Sequence, residues 1–259
     1  MRAAALLACA SLIAGCAEAQ TEGPVEAAEL TWAPPLEEGF DALPRVAGDE
    51  AQAREINAYL DRIDAGDRAE RAACLSEGGT NRQWGRSVEA PMTGPRFLSV
   101  LLTTGYYCGG AHPDWEQKSL TFDLETGRLV DWALFLPADM ALPRYESTDQ
   151  WPQLLRSPSL KAWYARAAIA QRRIANGEDE CAGVLMDSEP LDAWPDGRTN
   201  GLALQVSGLS HAVSACTETV VMPLDELRRR GADPALIDAL EVAHRDGRWR
   251  PLPPAAPGD

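Results

Sequence analysis

Three histidines, His112, His211 and His244, are the imidazoles on which acid–base chemistry near neutral pH would rest. His112 lies in the run Cys108-Gly109-Gly110-Ala111-His112-Pro113-Asp114-Trp115, and His112, Asp114 and Glu116 alternate along it. That alternation could supply a base and an acid, or part of a metal ligand set. The simpler reading is that His112 hydrogen-bonds a backbone carbonyl and fixes a turn. His211, in Leu209-Ser210-His211-Ala212, can join His112 only if the fold brings two distant loops together. Ser210 beside it is not a dyad, because such constellations are spatial rather than sequential. His112, Asp114 and His211 are therefore weak catalytic candidates. His244 falls near the end of an expected helix, where a cation is mildly favoured.

Nucleophile elbow, P-loop, dinucleotide fingerprint and His-Glu-x-x-His are all absent from the sequence. Asp192, Asp196, Gly197 and Asn200 resemble a calcium loop, but counting from Asp192 puts Trp194 third and Ala203 twelfth, where ligands are required. A turn before a strand is the simpler account. No metal and no cofactor is expected. The candidate binding loop is Gly109, Gly110, His112, Asp114 and Trp115. Its two glycines suit a sharp reversal. Trp115 is the kind of residue that anchors a partner or stacks on a sugar ring, or that lies buried beneath its own loop.

Of six cysteines, Cys9 lies in an N-terminal leader and Cys16 at its end, leaving Cys74, Cys108, Cys181 and Cys216. An even set in an exported chain implies disulfides, with three pairings open. The pairing expected is Cys74–Cys108 and Cys181–Cys216, each joining a helix-flanking cysteine to one at a strand end. Zinc-type C-x₂-C spacing does not occur.

The leader, residues 1–15, has one Arg2 before an Ala/Leu/Ile run too short to span a bilayer, which takes about 20 apolar residues. Ile13-Ala14-Gly15-Cys16 resembles a bacterial lipobox, so cleavage before Cys16 and lipidation of Cys16 are expected. Acyl chains at roughly 0.8 kcal/mol per CH₂ would attach the protein stably to a membrane. Ala17, rather than Asp, after that cysteine points to the periplasmic face of the outer membrane. Residues 16–28 read as a flexible tether and residues 250–259 as a Pro-rich disordered tail. The chain has 39 acidic against 24 basic residues, and losing the leader removes only Arg2 from this balance. Such a surface argues against nucleic acid and leaves room for a cationic partner.

The elements that must position these groups are legible in part. Residues 97–107 read as a central strand, residues 118–124 as an alternating one, and residues 129–132 as a third, with a turn at Gly127. The result is a three-stranded antiparallel meander in which Ser119, Thr121 and Asp123 meet water and residues 109–117 form a loop. A short strand is expected near residues 84–88. Helices are expected at residues 50–73 and after Ser157-Pro158, the latter with Leu160, Trp163, Tyr164, Ala167 and Ile174 buried. Residues 187–200 read as turn-rich, residues 202–206 and 219–222 as paired strands, and residues 225–230 and 234–244 as short helices, the last capped by Asp233.

The run YYCGGAHPDWEQKSLTFDLETGRLVDWALFLP resembles the RsiV-like C-terminal domain family. FDALPRVAGDEAQAREINAYL and GLALQVSGLSHAVSACTETVVMPLDEL resemble other stretches of the same family. The resemblance spans residues 29–249. It implies an extracytoplasmic domain of the type found in a lysozyme-sensing anti-sigma factor and beside a peptidoglycan deacetylase domain. No spanning helix leads to a sigma-binding segment and no deacetylase domain is recognisable, so neither activity is expected. The fold expected is α+β: a meander with helices packed on one face, in one or two subdomains. The function expected is non-catalytic recognition of a cell-wall component or a wall-active protein such as lysozyme. The alternatives are a glycan hydrolase using His112 and nearby carboxylates, and a structural spacer without ligand.

Overall fold

The computed structural model describes residues 28–76, 81–141, 153–176 and 180–250. The expected leader, lipobox, most of the expected tether and almost all of the Pro-rich tail lie outside the described residues. The fold is α+β.

Strands β1 (Leu30–Thr31) and β2 (Arg45–Val46) form a small ribbon ahead of helix α1 (Ala51–Ser76). A meander follows: β3 (Gln83–Thr93), β4 (Phe97–Tyr107), β5 (Asp114–Asp123) and β6 (Arg128–Leu129), antiparallel in that order. Helix α1 buries Ala53, Ile56 and Leu60 at helical spacing. These meet Leu98, Val100, Leu102, Leu120 and Phe122, which alternate along β4 and β5. The stripe on α1 continues into Asp64, whose carboxylate pairs with Arg86 of β3 at 2.5 Å, both side chains buried. Asp67, a turn further on, takes the same guanidinium. The turn into β6 closes against α1: Gly127 has φ of 72°, and a Cβ there would stand 2.6 Å from Gln52 Cα.

Helices α2 (Pro158–Asn176) and α3 (Ala182–Asp187) lead into a second antiparallel sheet of β7 (Leu191–Asp196), β8 (Gly201–Val206) and β9 (Thr219–Pro223). Helices α4 (Leu224–Arg230) and α5 (Pro234–Arg245) close the chain. Ser157 Oγ accepts from Leu160 N at 3.0 Å and starts α2; Asp233 accepts from Ala235 N at 2.8 Å and starts α5. Leu160, Tyr164, Leu185, Leu204, Met222, Leu236 and Leu240 share one core, which Phe97, Trp132 and Phe135 enter from the meander. Of the stripe expected on α2, Leu160 and Tyr164 are fully buried, Trp163 and Ala167 partly; the Ile174 side chain lies outside the description.

Several expectations are corrected. The meander has four strands, because β3 runs its full length through Gly85 and Pro91. Residue 132 belongs to a 3-10 turn, Trp132–Leu134, and not to a strand. The loop ends before Asp114, so Asp114, Trp115 and Glu116 stand on β5. Residues 187–200 contain α3's end and β7, every residue of which is buried. Helix covers only one face of the meander. The other face packs on the second sheet, so Ser119, Thr121 and Asp123 are buried rather than wet. Ser119 N and Oγ donate to Asp192 at 2.7 and 2.5 Å, and Thr121 N donates to Gln153 Oε1 at 2.7 Å. Leu101, Trp194 and Ala203 add an apolar contact between the sheets to that made by Phe97.

Candidate functional site

Residues 108–113 link β4 to β5 and are held at their root. Cys108 is bonded to Cys74 at the end of α1. The Arg82 guanidinium donates to the carbonyls of both cysteines. Gly109 and Gly110 take φ of 100° and 116°, where a side chain would be strained. Tyr107 Oη donates to Gly110 O at 3.1 Å. The tip carries His112. Among the described residues it makes no hydrogen bond to a carbonyl; its ring stacks on His211 instead, centroids 4.9 Å apart and planes 6° from parallel.

His211 opens the 3-10 turn His211–Cys216, which the Cys181–Cys216 disulfide ties to the start of α3. Two disulfide-anchored segments, one from each half of the molecule, therefore meet at the imidazole pair. Asp114 Oδ1 is 3.7 Å from His211 Nδ1, beyond direct hydrogen-bond reach, and the same oxygen accepts from Trp115 N at 2.9 Å. The three weak catalytic candidates are thus neighbours. His244 is elsewhere: its Nδ1 donates to Gly197 O at 2.9 Å and its ring lies against Trp249. Among the described residues no group of three or more His, Cys, Asp or Glu side chains is arranged to hold a metal ion. Asp196, in the stretch resembling a calcium loop, instead accepts from Arg198 N and Thr199 N and shapes a turn.

Beside the imidazoles is a hollow of about 170 Å³ between β5, from Asp114 to Gln117, and the segment running from Gln205 to Leu209. A second, of about 830 Å³, lies toward α1 and includes Arg71, Arg82, Trp84 and Tyr107; Tyr106 and Asp114 line both. Trp115 is 42% exposed, the most exposed tryptophan at this end of the meander. Burial raises the Glu116 carboxyl above its ordinary value; Lys118 opposes the shift, and Glu70, Asp67 and Asp114 add to it. Burial likewise raises the Tyr106 phenol, reinforced by Asp114, Glu116 and Glu70. Both shifts come first from burial, and the neighbouring carboxylates add to them.

Sequence reasoning singled out Trp115 and the imidazoles but missed Tyr106, Gln117 and Gln205, which frame the hollow. Gln117 Nε2 donates to Gln205 Oε1 at 2.9 Å across it. Asp192 was missed as a buried group as well. Its full burial pushes the carboxyl up to about 6, against the hydrogen bonds from Ser119 that favour the charge.

No family model matches the chain, and no curated protein matches it. Among solved structures it is similar to a DUF3298 family member from Bacteroides fragilis, with 13% identity, 76% of this chain and 75% of that one covered, and a TM-score of 0.43. It is also similar to a DUF3298 family protein from Pseudomonas aeruginosa PAO1, with 15% identity, 74% and 84% covered, and a TM-score of 0.45. Likenesses of this strength say nothing about a site. Among the described residues no helix is long and apolar enough to cross a membrane.

Proposed function

We propose that this chain is an exported, lipid-anchored envelope protein of the RsiV-like type whose domain binds a cell-wall component or a cationic wall-active protein such as lysozyme. Cys16 carries the anchor, and the periplasmic face of the outer membrane is its location. The leader, the lipobox-like Ile13-Ala14-Gly15-Cys16 and the YYCGGAHPDW run support this reading. The observation that carries the binding role is the exposure of Trp115 beside the carboxylates of Asp114 and Glu116 and a hollow next to them. An exposed indole in an acidic setting is well suited to anchor a partner.

The test is recovery of partners from envelope extract by the exported domain, with and without added muropeptides. Trp115→Ala should cost about 2 kcal/mol in affinity while melting is unchanged. Equal recovery by parent and variant would remove Trp115 from the contact. Intact mass of membrane-extracted protein should show a diacylglyceryl-cysteine at residue 16.

The proximity of His112, His211 and Asp114 favours a second reading, a glycan hydrolase. We rank it lower because neither imidazole lines the hollow and Asp114 is not hydrogen-bonded to His211. Muropeptide turnover by the parent, lost in His112→Ala with melting unchanged, would reverse that order.

A further inference from the structure

We propose that the outer edge of β5 at Trp115 to Gln117 accepts an extended polypeptide segment as an added strand, one whose basic residues alternate with apolar ones. The proposal rests on the reading that this surface binds a partner, and it names that partner's chemistry.

Strand β6 pairs with Phe122 and Asp123, and among the described residues the rest of β5 is a sheet edge. In an antiparallel pair, alternate residues turn their N–H and C=O away from the neighbour. On β5 the outward residues are the odd-numbered ones. Thr121 N donates to the Gln153 side chain, and Thr121 O accepts from Val130 N at 2.8 Å. Ser119 N donates to Asp192 at 2.7 Å and Trp115 N to Asp114 at 2.9 Å. The same parity points the N–H and C=O of Gln117 and the C=O of Trp115 outward, and among the described residues these have no protein partner. Among the described residues, this edge is thus covered by side chains at one end and open where the hollow begins. Open edges are the surfaces on which strand addition occurs.

The hollow is about 170 Å³, below the roughly 300 Å³ of small-molecule pockets and closer to the volume of a short backbone stretch. Residues paired directly across two strands share a face. A residue opposite Glu116 would face the side holding Asp114, Glu116 and Glu70, beside Asp67, which Arg86 already takes, with Lys118 and Arg62 further along. Lysine or arginine fits there. Residues opposite Trp115 and Gln117 would face the exposed indole, where an apolar side chain fits.

The probe is a labelled, end-blocked heptapeptide of alternating valine and lysine, and a copy N-methylated along one edge. Binding to the exported domain is followed by anisotropy. The parent should bind the plain peptide, more weakly as salt is raised, and should reject the methylated copy. Gln117→Pro removes the outward N–H without touching the β4 ladder, a position where an edge strand admits proline. It should weaken binding about tenfold or more, and Gln117→Ala, which removes the Gln205 contact alone, should stay within about twofold. Should Gln117→Pro melt early, hydrogen exchange of the parent decides: bound peptide should slow exchange at Gln117. Failure of the parent to bind, equal binding by Gln117→Pro, or acceptance of the methylated copy overturns the proposal. So does a dimer of the parent that Gln117→Pro disperses, since the occupant is then a second copy. If the edge fails these tests while Trp115→Ala still loses envelope partners, the binding role stands without strand addition. If the peptide pairs with the edge while Trp115→Ala keeps every partner, the Trp115 reading falls instead.

Discussion

The two faces of the meander are filled by opposite chemistry. Toward α1, Leu98, Val100, Leu102, Leu120 and Phe122 close on Ile56 and Leu60, with one ionic joint where Arg86 meets Asp64 and Asp67. Toward the second sheet, Ser99, Ser119 and Thr121 are buried beside Met92, Phe97 and Leu101; Ser119 reaches a carboxylate, Asp192, Thr121 an amide, Gln153, and Ser99 Oγ lies 3.4 Å from Thr121 Oγ1. Apolar burial scales with area and is tolerant of small shifts. Hydrogen bonds from Ser119 to Asp192 and from Thr121 to Gln153 are satisfied in one register only. The α1 face therefore coheres through apolar area, and the second face fixes how the two sheets line up. It also determines where the covered part of the β5 edge ends.

The largest effect is expected on the apolar face. Phe122 is fully buried and edges onto Tyr59. Phe122→Ala should cost about 4 kcal/mol in denaturant unfolding, the sum of lost transfer and the cavity left behind. A loss under about 1 kcal/mol would mean that the face collapses readily.

Next comes the ionic joint on that face. The Arg86 side chain is fully buried and also donates to Asp41 O at 2.5 Å. Arg86→Met keeps the volume but takes the partner from Asp67 and from one oxygen of the buried Asp64, whose other oxygen keeps Arg45 at 2.8 Å, and about 3 kcal/mol is the expected cost. Restoring stability by adding Asp64→Asn and Asp67→Asn would show that the penalty is the uncompensated charge.

Asp192 sharpens the comparison through pH. Burial raises its carboxyl from an ordinary 3.8 to about 6. Its stabilising contribution is then complete below about pH 4 and lost as pH rises through about 6, a span on the order of 3 kcal/mol. Asp192→Asn should flatten this part of the stability–pH curve. An unchanged curve would mean that Asp192 is not the group that makes the second face sensitive to pH. Glu116, raised in the same direction, adds a smaller component that Asp192→Asn leaves in place.

The sequence made the first face legible and hid the second. Helix α1's stripe, the Ser157 and Asp233 caps and the Gly127 turn are local signals, decided by residues a turn or two apart. Alternation along β5 was legible too, but the polar half was read as solvent-facing because Ser119 and Thr121 are hydrophilic. Their partners are Asp192 and Gln153, far along the chain, and nothing near Ser119 announces them. Strand β7 was invisible for a related reason: all of its residues are buried, so no period of two survives, and Asp192, Pro195 and Asp196 imitate a turn. At the candidate site, the glycines and Pro113 marked the loop, but they could not show that Asp114 already begins a strand. The meeting of His112 with His211 is wholly tertiary.

That meeting gives the smallest effect expected. His112 is exposed, and among the described residues its contact is the ring stack on His211. The loop beneath it is held by the Cys74–Cys108 disulfide, by Arg82 and by Tyr107. The two halves are already joined by Asp192, Gln153 and the apolar contact at Leu101. His112→Ala should therefore change unfolding free energy by no more than about 0.5 kcal/mol. A loss above about 1 kcal/mol would make the stack a third joint between the halves. The stack would then hold the hollow's two walls together. Denaturant unfolding of the parent and of His112→Ala separates these outcomes.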